Sequence, residues 1–317
     1  MAEIKYSTVI PVYKNEESIP RLITELNKIS DKLGEGYEVV FVVDGSPDRS
    51  FEMLSEQLKT ASFSSQLVLH SRNFGSFAAI RTGLIHARGQ YFGVMAADLQ
   101  EPPALMLDFF KALEHEDADV VIGTRDSRAD PLSSRLASTI FWGLYKRLVV
   151  HDMPDGGVDV FGCNTKFRDE LLKLNESRSS LVALIFWLGF KRKFISYSRL
   201  QRIEGKSSWT FRKKFDYMMD SIFAFTDYPI RLLTKIGLLG SIFSLFLGII
   251  IFFANLLGFI NVPGYTAIML VVLFLGMLNL LGLGLVGTYA WRGYENTKQR
   301  PLSIVSFSTI YAGKQND

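Results

Sequence analysis

Three things are scarce in this chain, and each absence narrows what it can be. Cys163 is its only cysteine, so neither an intrachain disulfide nor a multi-cysteine zinc site is available. No Gly-x-x-x-x-Gly-Lys-Ser/Thr stretch occurs, and no Gly-x-Gly-x-x-Gly follows a strand pattern. A P-loop and a dinucleotide fingerprint are therefore both excluded. Charge is missing from residues 236–291, which contain no Asp, Glu, Lys, Arg or His, although charged residues make up 21% of the chain. A bilayer-spanning helix takes about 20 apolar residues. The tract therefore reads as two spans, 236–254 and 265–290, around a turn at 255–264 that holds Pro263 and Gly264. A buried core hairpin is the alternative.

The charges that are present orient this tract. Arg231 and Lys235 precede it, Arg292, Lys298 and Arg300 follow it, and the intervening loop carries none. Positive residues stay on the cytoplasmic side, so both termini are expected there, in a chain that crosses the membrane twice. The start Met-Ala-Glu-Ile-Lys leads straight into a strand pattern, so no signal peptide is expected. Net charge is a modest +3, but Lys191, Arg192, Lys193, Arg199, Arg202, Lys206, Arg212, Lys213 and Lys214 crowd the approach to the apolar tract. That distribution favours anionic headgroups or an anionic substrate over nucleic acid. Across 212–231, Phe215, Met218, Met219, Ile222 and Phe223 recur at helical spacing opposite Lys213, Asp216 and Asp220. This predicts an amphipathic helix in the membrane interface.

Ahead of residue 124 the chain alternates between apolar strand patterns and helical ones. Strands are expected at 8–13, 37–43, 66–70, 91–97 and 118–123, with helices at 15–33, 50–59, 74–87 and 103–113. That rhythm predicts a doubly wound, mostly parallel α/β sheet, whose loops meet at the carboxyl edge. The central stretch is Val94-Met95-Ala96-Ala97-Asp98-Leu99-Gln100-Glu101-Pro102-Pro103. On an extended backbone Asp98 and Gln100 leave the same face and can offer oxygens to one hard cation, Mg²⁺ or Mn²⁺, beneath a phosphorylated ligand. The alternative is a strand-to-helix turn in which either residue caps the helix. Asp44, after the second strand, is placed to accept from a base or ribose, although Asp-Gly also favours a plain turn. Asp159 alternates with Val158 and Val160, so it faces either the cleft or solvent at a strand edge.

Several separate motifs then agree. Val9-Ile10-Pro11-Val12-Tyr13-Lys14-Asn15-Glu16, Val43-Asp44-Gly45-Ser46-Pro47-Asp48, Arg72-Asn73-Phe74-Gly75, Ala97-Asp98-Leu99-Gln100-Glu101-Pro102-Pro103, Gly123-Thr124-Arg125, Arg202-Ile203-Glu204-Gly205-Lys206-Ser207 and Arg300-Pro301-Leu302 stand in an order and spacing that resembles family 2 glycosyltransferases. The resemblance is to the membrane polyprenyl-phosphate enzymes related to dolichol-phosphate mannose synthase, and it covers nearly the whole chain. It implies a GT-A catalytic domain at 1–208, amphipathic juxtamembrane helices at 209–234, a transmembrane hairpin at 235–291 and a cytoplasmic tail at 292–317. It implies one sugar moved from a nucleotide sugar, with UDP-glucose favoured, to an undecaprenyl-type phosphate for envelope glycans, and assembly as a homo-oligomer, a tetramer.

Carried over position by position, Pro11, Tyr13, Glu16 and Asp44 hold the nucleotide, and Asp98 and Gln100 hold the metal on its diphosphate. Arg125, Arg135 and Arg202 meet the phosphates or the acceptor. Asp98 and Asp159 are the catalytic carboxylates, Asp159 lying near the anomeric carbon. Ala96 stands where the family often has the first Asp of Asp-x-Asp, Val43 where a first Asp is common, and Ser76 where a Lys is common. Two other readings compete. One is a processive polysaccharide synthase, disfavoured by the small number of spans and the absence of Gln-x-x-Arg-Trp. The other is a membrane-anchored nucleotide-sugar binding protein that has lost catalysis, motivated by Ala96.

Overall fold

The computed structural model describes residues 3–125, 143, 145–147, 149–150, 152–154, 158, 160–176, 179–200, 211–226, 228–257 and 264–313. Arg135, Asp159 and Arg202 lie outside the described residues. In chain order the elements are β1 (Tyr6–Val12), α1 (Ile19–Leu33), β2 (Tyr37–Val43), α2 (Ser50–Gln57), β3 (Ser64–His70), α3 (Ser76–His86), β4 (Tyr91–Val94), α4 (Leu105–Glu114) and β5 (Val120–Arg125). There follow β6 (Phe161–Asn164), α5 (Thr165–Lys173), α6 (Leu181–Trp187), β7 (Arg192–Tyr197), α7 (Phe211–Phe225), α8 (Tyr228–Leu256), α9 (Tyr265–Thr297) and β8 (Val305–Tyr311).

The strands form one sheet in the order β7-β5-β6-β4-β1-β2-β3-β8. Strands β4, β1, β2 and β3 run parallel, while β6 is antiparallel to both β4 and β5. All seven residues of β2 are buried, as a central strand covered on both faces requires. Full burial of a side chain such as Phe41 contributes about 1.5–3 kcal/mol. Helix α1 buries Leu22, Ile23, Leu26 and Ile29 on one stripe against this sheet and begins with Pro20 in its first turn, where a missing N–H is harmless.

The described residues fall into two compact units, one from Met1–Asp216 with Pro301–Asp317 and the other from Tyr217–Arg300. Residues 301–313 belong to the first unit. There β8 completes the sheet, pairing antiparallel with β3 from Ser65↔Tyr311 to His70↔Val305. The physical reason is the open edge of β3, whose backbone groups need a partner.

In the second unit α9 holds Arg292 against Asp220 of α7 at 2.6 Å, and the Phe223 and Tyr289 rings meet edge-on at 5.4 Å. Among the described residues one stretch, Phe274–Thr297, is long and apolar enough to cross a bilayer. Helix α8 contains the earlier expected span and leaves Leu238, Leu239, Ile242, Phe243 and Phe246 exposed.

Candidate functional site

The strand order reverses at β1. From there the chain builds outward through β2 and β3 on one side and through β4 on the other. Ligands in open α/β sheets bind at such a reversal, beyond the carboxyl ends of the strands. Pro11 helps to open the crevice, because it has no N–H with which to extend the β1–β4 ladder. That ladder stops at Val9↔Val94, with Met95 N donating to Val9 O at 3.2 Å. The β1–β2 ladder continues to Val12↔Val43. Below the crevice the Ser18 hydroxyl is shared between Ala97 O at 2.9 Å and Asn15 O at 3.0 Å, tying the loop after β1 to the loop after β4.

The loops after β1 and β2 are stitched together by reciprocal hydrogen bonds. Lys14 N donates to Ser46 Oγ at 2.8 Å, Asn15 N to Ser50 Oγ at 3.2 Å and Glu16 N to Asp48 Oδ2 at 3.2 Å. In return Arg49 N donates to Glu16 Oε2 at 2.9 Å. Lys14 takes the left-handed backbone conformation, φ 56°, in this turn. Burial alone would raise the Asp48 pKa, but hydrogen bonds from the Ser46 and Ser50 hydroxyls and the Glu16 and Ser50 amides outweigh it and hold the carboxyl below its usual value. Glu16 and Asp48 thus set the shape of these loops. Tyr13 is 37% exposed, with Lys14 Nζ over its ring, 5.6 Å from the centre.

Asp44 takes a position different from the one the sequence suggested. It is 2% exposed, and both carboxylate oxygens already accept from the protein. Phe74 N donates to Oδ1 and Gly75 N to Oδ2, each at 2.8 Å, and His70 Nδ1 lies 2.8 Å from Oδ1. Its backbone carbonyl accepts from Asn73 Nδ2 at 3.2 Å. A carboxylate so filled faces inward and anchors the loop between β3 and α3, and an Asp-Gly turn after a buried strand gave no sign of it.

The stretch after β4 is a turn rather than an extended strand end. Strand β4 ends at Val94, and Leu99, between the two proposed metal ligands, has φ 54°. The alternation that would place Asp98 and Gln100 on one face therefore does not apply. They meet through an Asx-type turn, in which Gln100 N donates to Asp98 Oδ1 at 3.3 Å. The Gln100 side-chain oxygen accepts from Arg199 Nη2, and its backbone oxygen accepts from Leu200 N at 2.8 Å. Gln100 thereby holds residues 199–200, just after β7, a role no spacing in the sequence announces. Arg125 closes β5 opposite Tyr197.

As a donor set for a divalent ion this region offers the half-buried Asp98 carboxylate, while the Gln100 oxygen is engaged by a guanidinium. Among the described residues no group of three His, Cys, Asp or Glu side chains could hold a metal. The residues fit a cation that takes one protein carboxylate and completes its shell with diphosphate oxygens and water, as Mg²⁺ does.

Comparison with known proteins adds independent findings. The family model described as Glycosyl transferase family 2 matches residues 7–174. CsbB of Bacillus subtilis (strain 168), a glycosyltransferase by name, is 34% identical over 304 residues, covering 96% of this chain and 92% of its own length. The undecaprenyl-phosphate 4-deoxy-4-formamido-L-arabinose transferase of Salmonella paratyphi B is 30% identical over 308 residues, 95% of this chain and 92% of that protein. The prophage bactoprenol glucosyl transferase homolog of Escherichia coli (strain K12) is 27% identical over 307 residues, 95% and 98% respectively.

Proposed function

Because the chain belongs to glycosyl transferase family 2, we propose that it moves one sugar from a nucleotide sugar to a polyprenyl phosphate. The donor in this reading is a UDP sugar such as UDP-glucose, the acceptor an undecaprenyl-type phosphate, and the place the cytoplasmic face of a bacterial inner membrane. The observation that carries the reading is the extent of the match. Relatives named for bactoprenol and undecaprenyl phosphate align over 95% of this chain, so the similarity takes in the long helices as well as the sheet.

The chemistry follows from the substrates. A lipid phosphate has a second pKa of about 6, so it is already an anionic nucleophile and needs little help from a base. Its oxygen attacks the anomeric carbon, the bond to the nucleotide diphosphate breaks, and the configuration inverts. Tyr13 and Pro11 line the base and ribose, while Glu16 keeps the Tyr13 loop in place. Asp98 would hold Mg²⁺ or Mn²⁺. When bound, that ion supplies charge neutralisation on the departing diphosphate. Arg125, Arg135 and Arg202 are assigned to phosphate, for which planar guanidinium groups are suited, and Asp159 to orienting sugar or acceptor.

Helices α8 and α9 serve as two spans, and α7 as an interface helix that keeps the site near lipid headgroups. The glycines Gly276, Gly284 and Gly287 leave room for close helix approach in a homo-oligomer. The test is radiolabelled nucleotide sugar with undecaprenyl phosphate and purified membranes. One sugar on lipid is expected. A polymer would identify a processive synthase, and no product with bound donor would identify a binding protein in which Ala96 marks lost catalysis.

A further inference from the structure

His70 is the last residue of β3, and its side chain is wholly buried. A buried imidazole at the end of a strand needs partners on both nitrogens, and both are present. Nδ1 is 2.8 Å from Asp44 Oδ1, and Nε2 is 2.9 Å from Thr82 Oγ1. Thr82, on α3, is in turn 2.8 Å from Ser303 Oγ. An ionised Asp44 can only accept, so Nδ1 carries its hydrogen toward that carboxylate. The same carboxylate receives the Phe74 and Gly75 amides. One continuous line of hydrogen bonds thus joins Ser303 to the loop that opens α3.

A second connection runs beside it. Ser71 N donates to Ile304 O at 2.9 Å and Ser306 Oγ to Leu69 O at 3.1 Å, while the β3–β8 register shifts between Leu69 and His70. The irregularity lies where the imidazole turns into the core. The loop so fastened presses on the site, because Gly45, beside Asp44, packs against the Arg72–Asn73 peptide. Apolar side chains would fill this space without strict geometry, whereas a satisfied buried polar network fixes one arrangement.

We infer that His70 is a positioning residue that fastens the donor-side loop of residues 71–75 to Ser303, on the segment that follows α9. The donor-affinity half of this inference rests on the proposed function; the loop-fastening half does not. Residues that read as a tail thereby become part of the donor site's support.

The test uses the full chain in detergent or nanodiscs, with Thr82→Val, Ser303→Ala and the conservative Thr82→Ser. Amide hydrogen exchange over 71–76 reads the bonds from Phe74 and Gly75 to Asp44. Exchange faster by about three- to tenfold in Thr82→Val and Ser303→Ala is expected, with wild-type behaviour restored in Thr82→Ser. Binding of UDP with Mg²⁺ should weaken by a similar factor and the donor KM rise, while the polyprenyl phosphate KM stays put. His70→Gln, which can still bridge one partner, should fall between. Unchanged exchange in both Thr82→Val and Ser303→Ala, with native thermal stability, overturns the inference. A wild type that bound no nucleoside diphosphate would overturn the functional reading instead, and the exchange result would still decide whether His70 fastens the loop.

Discussion

A methyl group at Gly45 would sit 2.3 Å from the carbonyl carbon of Arg72. Gly45 also has φ 57°, so two independent constraints exclude a side chain there. The clash is with backbone, which cannot rotate away. Gly45→Ala should therefore push the loop after β2 off the loop after β3 and cost about 2–3 kcal/mol or more. Urea denaturation measures this, and a loss below about 1 kcal/mol would mean that the two loops separate freely.

Asp98 is the carboxylate to which the proposed function assigns the metal. Asp98→Asn keeps size and hydrogen bonding but removes the charge, so transfer should fall by about a hundredfold or more with little change in melting temperature. Titrating Mg²⁺ and Mn²⁺ against transfer checks it. Full activity at saturating donor and metal would refute the assignment.

Gln100 gives the complementary case. Its side-chain oxygen is held by Arg199, so Gln100→Ala should leave the metal concentration for half-maximal activity unmoved. Because the pair is exposed, stability should drop by no more than about 1 kcal/mol. Limited proteolysis after β7 should become faster. A large rise in the metal requirement would return Gln100 to the ligand set.

Asp48 predicts a pH signature. Its folded-state pKa is depressed, so its charge stabilises the fold above the unfolded value of about 3.9, and that contribution is lost as pH falls through the folded pKa. The stability difference between wild type and Asp48→Asn should be constant near neutrality and shrink below about pH 4. Denaturant midpoints at stepped pH would show it, and a difference independent of pH down to full protonation would contradict it.

Leu280 is 71% exposed on α9, within the stretch long enough to cross a bilayer. If that face meets lipid, Leu280→Arg should cost about 2.5–3.5 kcal/mol of insertion. Carbonate extraction of membranes should then release the variant and retain the wild type. Equal retention would place this face against protein.

Much of this molecule could be read before its structure was known. The run Tyr-Glu-Val-Val-Phe-Val-Val announces β2 to the residue, because a strand buried on both faces leaves an apolar record, broken here only by Glu38. The alternating rhythm likewise announced a mostly parallel sheet, with β1 to β4 each followed by a helix. What stayed hidden depends on residues meeting across the fold. His70 and Thr82 are a lone imidazole and a lone hydroxyl in the chain, and nothing local says that they touch. Strand β6 is only four residues long and pairs antiparallel, against the trend of its neighbours. Strand β8 alternates, but both of its faces are largely exposed, so it carries no burial pattern that would set it apart from a solvated terminus.

That last strand has a consequence for how the protein is made. Residues 217–300 are a long insertion within a single sheet, whose edge partner for β3 is translated after both long helices. Domains generally fold as they emerge from the ribosome, N-terminal parts first. Here the sheet must wait, with one border open, until both hydrophobic helices have left the exit tunnel, so its completion reports that their synthesis is finished.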